Sequence, residues 1–282
     1  MITRSLIIAV ALVAAYSIII IPVAGLPRKG ITRHQDNIVR LETAVNVRRN
    51  SRAVLVGSSL AGQLESQWLG PGVTSLAVAG SGPETGLRIG RLLEVPPKYA
   101  VIELNYFYRR EDPEILDYFD GSPLSSLRRR VPALWQYNHP LNLLLTLQQA
   151  AKARRGGGVD LEGPESRSEE AFQFALRTRL EFGGSPPEPK EVEEAIHRLN
   201  GWISELKEHG TEVVLSWFPT DARVRSAPYY RAWREAFVSA FPPDKNRWLE
   251  FPEQLGDRTV DGEHLNKAAA REAAQWLAAK LR

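Results

Sequence analysis

Four short apolar runs and a weaker fifth, each set beside a helical pattern, constrain this 282-residue chain more than any other feature. They are Ala53–Val56 (AVLV), Val73–Val78 (VTSLAV), Tyr99–Leu104 (YAVIEL), Glu212–Trp217 (EVVLSW) and the less apolar Arg247–Phe251 (RWLEF). Runs that are apolar at nearly every position belong to strands covered on both faces, as in a parallel sheet between helices. Leu60–Trp68 and Pro83–Leu93 read as helices after the first two runs, the second with proline in its first turn. Val192, Ile196, Leu199, Ile203 and Leu206 make one apolar stripe, which Gly210 ends. A last helix places Leu265, Ala269, Ala273, Trp276 and Leu277 on one face, with Lys280 and Arg282 near its negative end. The expected fold class is α/β, a three-layer sandwich around a parallel sheet of about five strands.

Two regions interrupt the alternation. Between the third and fourth runs lie about a hundred residues, where a simple crossover needs far fewer. Leu141–Ala151 (LNLLLTLQQAA) is helical there, Gly156–Glu170 reads as a flexible loop, and SPPEP at Ser185–Pro189 is a breaker. Residues 111–190 are therefore expected to form a helical insertion, either a lid or a partner surface. At the other end, Leu6–Leu26 holds 21 residues without a charge, enough to cross a bilayer as a helix. Arg4 precedes this run and Pro27-Arg28-Lys29 follow it, so flanking charge orients it only weakly. Val23-Ala24-Gly25 would suit signal cleavage, but the run exceeds a signal-peptide core, which favours an uncleaved anchor. The expected organisation is an anchor over 1–29, a juxtamembrane helix or tether over 30–52, and one domain over 53–282 outside the cytoplasmic membrane.

The chain has no cysteine, which excludes a disulfide framework, a thiolate metal site and a cysteine nucleophile. Its formal charge of +3 comes with arginine clusters at 48–49, 109–110, 128–130 and 154–155. These are scattered and carry no nucleic-acid motif. They read as solvated faces first, and as contacts to an anionic partner or lipid headgroups second.

Four of the five histidines have ordinary contexts: His34 in the tether, His139 in a turn, His197 off the apolar stripe of its helix, and His209 at that helix's end beside Gly210. His264 differs, because Asp261 stands three residues before it where the last helix begins. A carboxylate there can reach a ring nitrogen and fix its tautomer, or it can simply cap the helix. Ser58-Ser59, after the first strand, poses the same choice between helix capping and chemistry.

Taken together, Gly57-Ser58-Ser59-Leu60 after the first strand and Asp261-x-x-His264 before the last helix resemble the SGNH (GDSL-like) hydrolase superfamily. The resemblance covers residues 53–110 and 211–282 and implies a flavodoxin-like sheet. It assigns Ser59 as nucleophile, with Ser58 standing where the family's motif has aspartate, and makes His264 and Asp261 the rest of a triad. Gly80, in LAVAGSGPETGL, matches the glycine whose backbone N–H joins the oxyanion hole, and Gly82 is the alternative. Ser59 N–H and Asn105 would complete that hole, although the glycine that normally precedes the asparagine is absent from Ile102-Glu103-Leu104-Asn105. The chemistry needs no cofactor or metal. Trp217 and Tyr106, at strand ends, are candidate substrate contacts.

The apolar N-terminus and the DGEHLN ending resemble membrane-anchored extracytoplasmic members linked to O-acylation of alginate or peptidoglycan. The implied activity is a serine esterase or O-acyltransferase that works through an acyl-serine on acyl groups, acetyl among them, of a cell-envelope polysaccharide. The implied location is the inner membrane, single-pass, with the domain on the periplasmic side. A membrane-bound O-acyltransferase is the implied protein partner, and no nucleic acid is expected. Two alternatives stand beside it: an SGNH-fold scaffold without turnover, and a lipase or lysophospholipase.

Overall fold

The computed structural model describes residues 2–20, 30–47, 51–121, 123–154 and 168–282. These divide into two compact units, Met1–Val47 with Pro113–Leu161, and Arg48–Asp112 with Glu162–Arg282. The proposed 111–190 insertion is thus split between them. Its early helices join the N-terminal residues, and the helix Glu169–Phe182 belongs with the sheet.

The larger unit is built on β1 (Ala53–Val56), β2 (Val73–Ser75), β3 (Tyr99–Glu103), β4 (Glu212–Trp217) and β5 (Arg247–Glu250). All pairs are parallel and the order is β2-β1-β3-β4-β5, which is the doubly wound order of a flavodoxin-like fold. All five apolar runs are strands. β1 and β3 are buried at every position, as strands flanked on both edges and covered on both faces must be. One core cluster joins Leu55, Leu60, Val101 and Val214 to Ala269, Ala273 and Leu277 of the helix Lys267–Lys280.

The departures are local. The run Leu60–Trp68 is two single turns, Ser59–Gly62 and Ser66–Leu69, because Gly62 is a weak helix former and Glu65 is extended. β2 stops at Ser75, yet Leu76 and Val78 still donate to Leu55 and Gly57 carbonyls at 2.7 and 2.8 Å. The chain therefore leaves the sheet gradually and delivers Gly80 to the edge where the strands end.

In the smaller unit, residues 33–47 of the stretch 31–51 take the helical alternative. Arg33–Glu42 is a helix opened by a capping box between Thr32 and Gln35, and it buries Ile38, Val39 and Leu41. Glu42 is buried as well. It accepts hydrogen bonds from Tyr118 Oη at 2.6 Å, Gln136 N–H at 2.9 Å and Tyr137 N–H at 2.7 Å. Burial raises its pKa to about 7, against the opposing pull of these donors and of Arg128.

The expected membrane span, Leu6–Leu26, is a helix over Ile2–Ile20; residues 21–29, with the Val23-Ala24-Gly25 cleavage motif, lie outside the described residues. Among the described residues no helix is long and apolar enough to cross a membrane. Most of the expected loop Gly156–Glu170 also lies outside the described residues.

Candidate active site

β1 ends in a turn whose hydrogen bonds separate the two serines. Ser58 is extended and caps the helix Ser59–Gly62, accepting from Leu60 N–H at 3.1 Å. Ser59 is the first helical residue, and its hydroxyl is left to face another partner. Capping and chemistry therefore fall to neighbouring residues.

Beneath the turn lies Glu103, the last residue of β3, fully buried. Its carboxylate accepts from Ser58 N–H at 2.8 Å, Ser58 Oγ at 2.7 Å and Ala61 N–H at 3.0 Å. One side chain thus holds three donors of the turn that presents Ser59. Burial pushes its pKa up to about 7, partly offset by these hydrogen bonds and by Arg109. The close fit also explains Gly57, where an added Cβ would sit 2.4 Å from Glu103 Oε2 and 2.6 Å from Ala61 Cβ.

Ser59 Oγ lies 2.8 Å from His264 Nε2, and Asp261 Oδ2 lies 2.9 Å from His264 Nδ1. The three residues predicted from two distant motifs are joined in one line. Asp261 does not cap the last helix, since Asn266 does, accepting from Ala269 N–H at 2.9 Å. Instead its Oδ1 accepts from His264 N–H at 2.7 Å and Glu263 N–H at 3.1 Å. Burial alone would raise the Asp261 pKa, but the His264 ring and these N–H groups hold it well below the usual carboxylate range. An ionised carboxylate in this place favours the tautomer with the proton on Nδ1, in which Nε2 can accept from a hydroxyl. The His264 side chain is 28% exposed and that of Asp261 8%, so the line runs from a sheltered carboxylate towards solvent.

The loop carrying this pair is a small closed structure. Val260 N–H donates to the His264 carbonyl, Asn266 N–H to Arg258, both at 2.7 Å, and Asp221 N–H to Gly262 at 2.8 Å. Glu263, buried beside His264, accepts from Tyr230 Oη at 2.9 Å. Arg179 Nε lies 2.8 Å from its other oxygen as an ion pair, without meeting hydrogen-bond geometry. An arginine from the helix Glu169–Phe182 thereby braces the histidine loop.

The oxyanion-hole candidates can be followed donor by donor. The N–H groups of Ser58, Leu60, Ala61 and Gly62 all have protein acceptors. For Ser59 N–H no acceptor occurs among the described residues. The same holds for Gly80 N–H, whose residue has φ +93°, a backbone conformation that side chains disfavour. Gly82 instead opens the helix Pro83–Gly90 as its N-cap. Asn105 is buried, and its amide clasps Phe218: Oδ1 accepts from Phe218 N–H at 2.7 Å and Nδ2 donates to Phe218 O at 3.1 Å. One of the two Nδ2 hydrogens is thus committed to β4's continuation.

Of the two aromatic candidates, Tyr106 is 3% exposed, and burial followed by the charge of Glu263 drives its pKa upward. It serves the packing under the histidine loop and offers no open subsite. Trp217 is half-buried against Phe237 and lines a small cavity of about 50 Å³ with Phe218, Arg234 and Phe251. Its Nε1–H has no partner among the described residues. Sequence reasoning missed Glu103 and the Glu263–Arg179–Tyr230 brace. The signal for Glu103 was a charge inside an otherwise apolar run, which burial permits only with partners.

No group of three or more metal-ligating side chains occurs among the described residues. No family model, no curated protein and no solved structure matches this chain.

Proposed function

We propose that this chain is a serine esterase or O-acyltransferase of the SGNH type, working through an acyl-Ser59 intermediate. The observation that carries the reading is His264 bridging Ser59 Oγ and Asp261 at 2.8 and 2.9 Å. In the first half-reaction Ser59 Oγ attacks the ester carbonyl as its proton passes to His264 Nε2. Ser59 and Gly80 N–H groups, with the second Nδ2 hydrogen of Asn105, receive the oxyanion. Each such donor is worth about two to three orders of magnitude in rate. Collapse breaks the ester C–O bond, and the leaving alcohol takes the proton from Nε2. In the second half-reaction water or a sugar hydroxyl, deprotonated by His264, attacks acyl-Ser59, and the serine leaves with that proton.

The acyl donor in this reading is an acylated cell-envelope polysaccharide, acetyl being the smallest case, with a membrane-bound O-acyltransferase as working partner. The chain is held at the inner membrane through residues 6–26, with the sheet unit on the periplasmic side. A fluorophosphonate probe tests the chemistry: wild-type protein labels, and Ser59→Ala does not. Equal labelling of the two defeats the proposal. Acetate released from acetylated polysaccharide, rather than fatty acid from phospholipid, separates this activity from a lipase.

A second reading, a scaffold of the same fold without turnover, is favoured by one observation, the Asn105 amide held on Phe218 through Oδ1 and one of its two Nδ2 hydrogens. It predicts that neither probe nor ester distinguishes wild type from Ser59→Ala.

A further inference from the structure

The smaller unit carries its apolar side chains on the outside. Of the sixteen strongly exposed large hydrophobic residues among those described, twelve belong to it. Ile7, Ile8, Leu12 and Ile18 lie on the helix Ile2–Ile20. Leu124 and Leu127 lie on the helix Pro123–Arg130, Leu134 on the turn that follows, and Leu141, Leu144, Leu145 and Leu147 on the helix Pro140–Arg154.

These two sets are continuous. Tyr16 donates to the Asn138 carbonyl, and the first helix packs on the turn Pro132–Leu134. A water-soluble surface helix needs only one apolar stripe, turned inwards, whereas a helix apolar all round needs an apolar surrounding. Here Val13, Tyr16, Ser17 and Ile20 face protein, and the residues at 7, 8, 11, 12, 14, 15 and 18 do not. On the later helix, Leu141, Leu144 and Leu145 fall on one face at helical spacing, opposite buried Asn142, Leu143 and Thr146.

Charge and residue type indicate what covers this surface. The unit's sequence holds eleven basic and six acidic residues, net +5, against −2 for the sheet unit. The arginine triplet 128–130 closes the helix that carries Leu124 and Leu127. Trp135 and Tyr137 are half-exposed between Leu134 and Leu141, and such amphipathic rings favour the headgroup level of a bilayer. Protein-binding hot spots are rich in Trp, Tyr and Arg, whereas the strongly exposed large apolar side chains of this face are leucines and isoleucines, and Trp135 and Tyr137 are only half-exposed.

We infer that Pro123–Arg130 and Pro140–Arg154 form a second membrane contact, seated in the headgroup layer of an anionic bilayer beside the N-terminal apolar helix. Leucines enter the acyl boundary and exposed Arg130 meets lipid phosphate, while Arg128 lies over the Tyr118 ring. The inference rests on the reading of the chain as membrane-held, and not on the chemistry of Ser59.

The absence of cysteine makes the test clean. Single-cysteine forms of the full chain, Leu144→Cys, Leu12→Cys and Glu208→Cys, are labelled with NBD and transferred from detergent into vesicles of phosphatidylglycerol and phosphatidylcholine. NBD emission at 144 and 12 is expected to shift to the blue and rise about twofold or more, as for burial at the acyl boundary, while 208 stays unchanged. A shift at 12 without one at 144 overturns the second contact and leaves the anchor standing. A shift at 144 that grows with protein concentration in the absence of lipid also overturns it, in favour of a second copy. An equal shift on pure phosphatidylcholine overturns the anionic requirement, and no shift at any position defeats both anchor and inference.

Discussion

The sheet unit and the N-terminal unit solve the problem of apolar side chains in opposite ways. In the sheet unit Leu55, Ile102 and Leu215 are at most 1% exposed, and among the described residues only Val95, Phe174, Phe182 and Val238 stand out as large apolar residues facing outwards. In the N-terminal unit a modest core around Leu41 and Phe119 lies under many leucines and isoleucines that have no cover. Both units nevertheless hold a buried glutamate that gathers donors of the backbone, Glu103 in one and Glu42 in the other. The difference teaches that hydrophobicity predicts burial only where the protein itself supplies the cover.

The largest effect separates the units by chemistry. Ser59→Ala is expected to lower ester turnover by roughly four to six orders of magnitude, as loss of a triad nucleophile does, with Tm nearly unchanged. Stopped-flow assays with an activated acetyl ester check it, and a loss under tenfold breaks the assignment.

Next comes stability. Leu55→Ala in β1 is expected to cost about 2–5 kcal/mol by urea unfolding, because the site is fully enclosed. A cost below about 1 kcal/mol would erase the contrast between an enclosed and an uncovered leucine.

The carboxylates give a pH-dependent effect of similar size. The folded pKa of Glu103, about 7, exceeds the ordinary glutamate value of 4.5, so the folded state holds this proton more tightly. Its contribution is full below about pH 4.5 and is lost as pH rises through about 7, a swing of about 3 kcal/mol. Glu103→Gln is expected to remove that slope, and Glu42→Gln to remove a second slope of the same sign. Thermal unfolding of both variants between pH 4.5 and 8 reads this directly. Unaltered slopes would mean neither group changes its proton affinity on folding.

The smallest effect is expected where the contrast is sharpest. Leu144→Ser on the exposed face should change unfolding free energy by less than about 0.5 kcal/mol. A cost of 2 kcal/mol would show that this leucine is covered by protein.

The fold was legible in the sequence because β1, β2 and β3 are buried at every position and β4 at four of its six, a condition that leaves nearly unbroken apolar runs, whereas the edge strand β5 is only half-buried and reads more weakly. The triad was legible because Asp261 and His264 share one loop and Ser59 follows a strand. The stretch Leu60–Trp68 was not, since Gly62 divides a pattern that periodicity alone reads as one helix. Glu103 escaped notice for a different reason. Its role depends on β1 lying beside β3, a pairing across 45 residues that no local motif records. The Asn105 clasp on Phe218 is likewise a contact between strand ends.

The distance along the chain between Ser59 and His264 has a consequence for synthesis. The two residues are separated by 205 positions, and His264 sits in a loop that leans on Asp221, Arg179 and Tyr230. A growing polypeptide has therefore made β1 and its serine turn long before the base that would activate it. Until the loop at 259–265 has emerged and closed, a nascent chain carries an ordinary hydroxyl at position 59. Any reactivity this protein has is withheld until residues 259–265 have been made and folded.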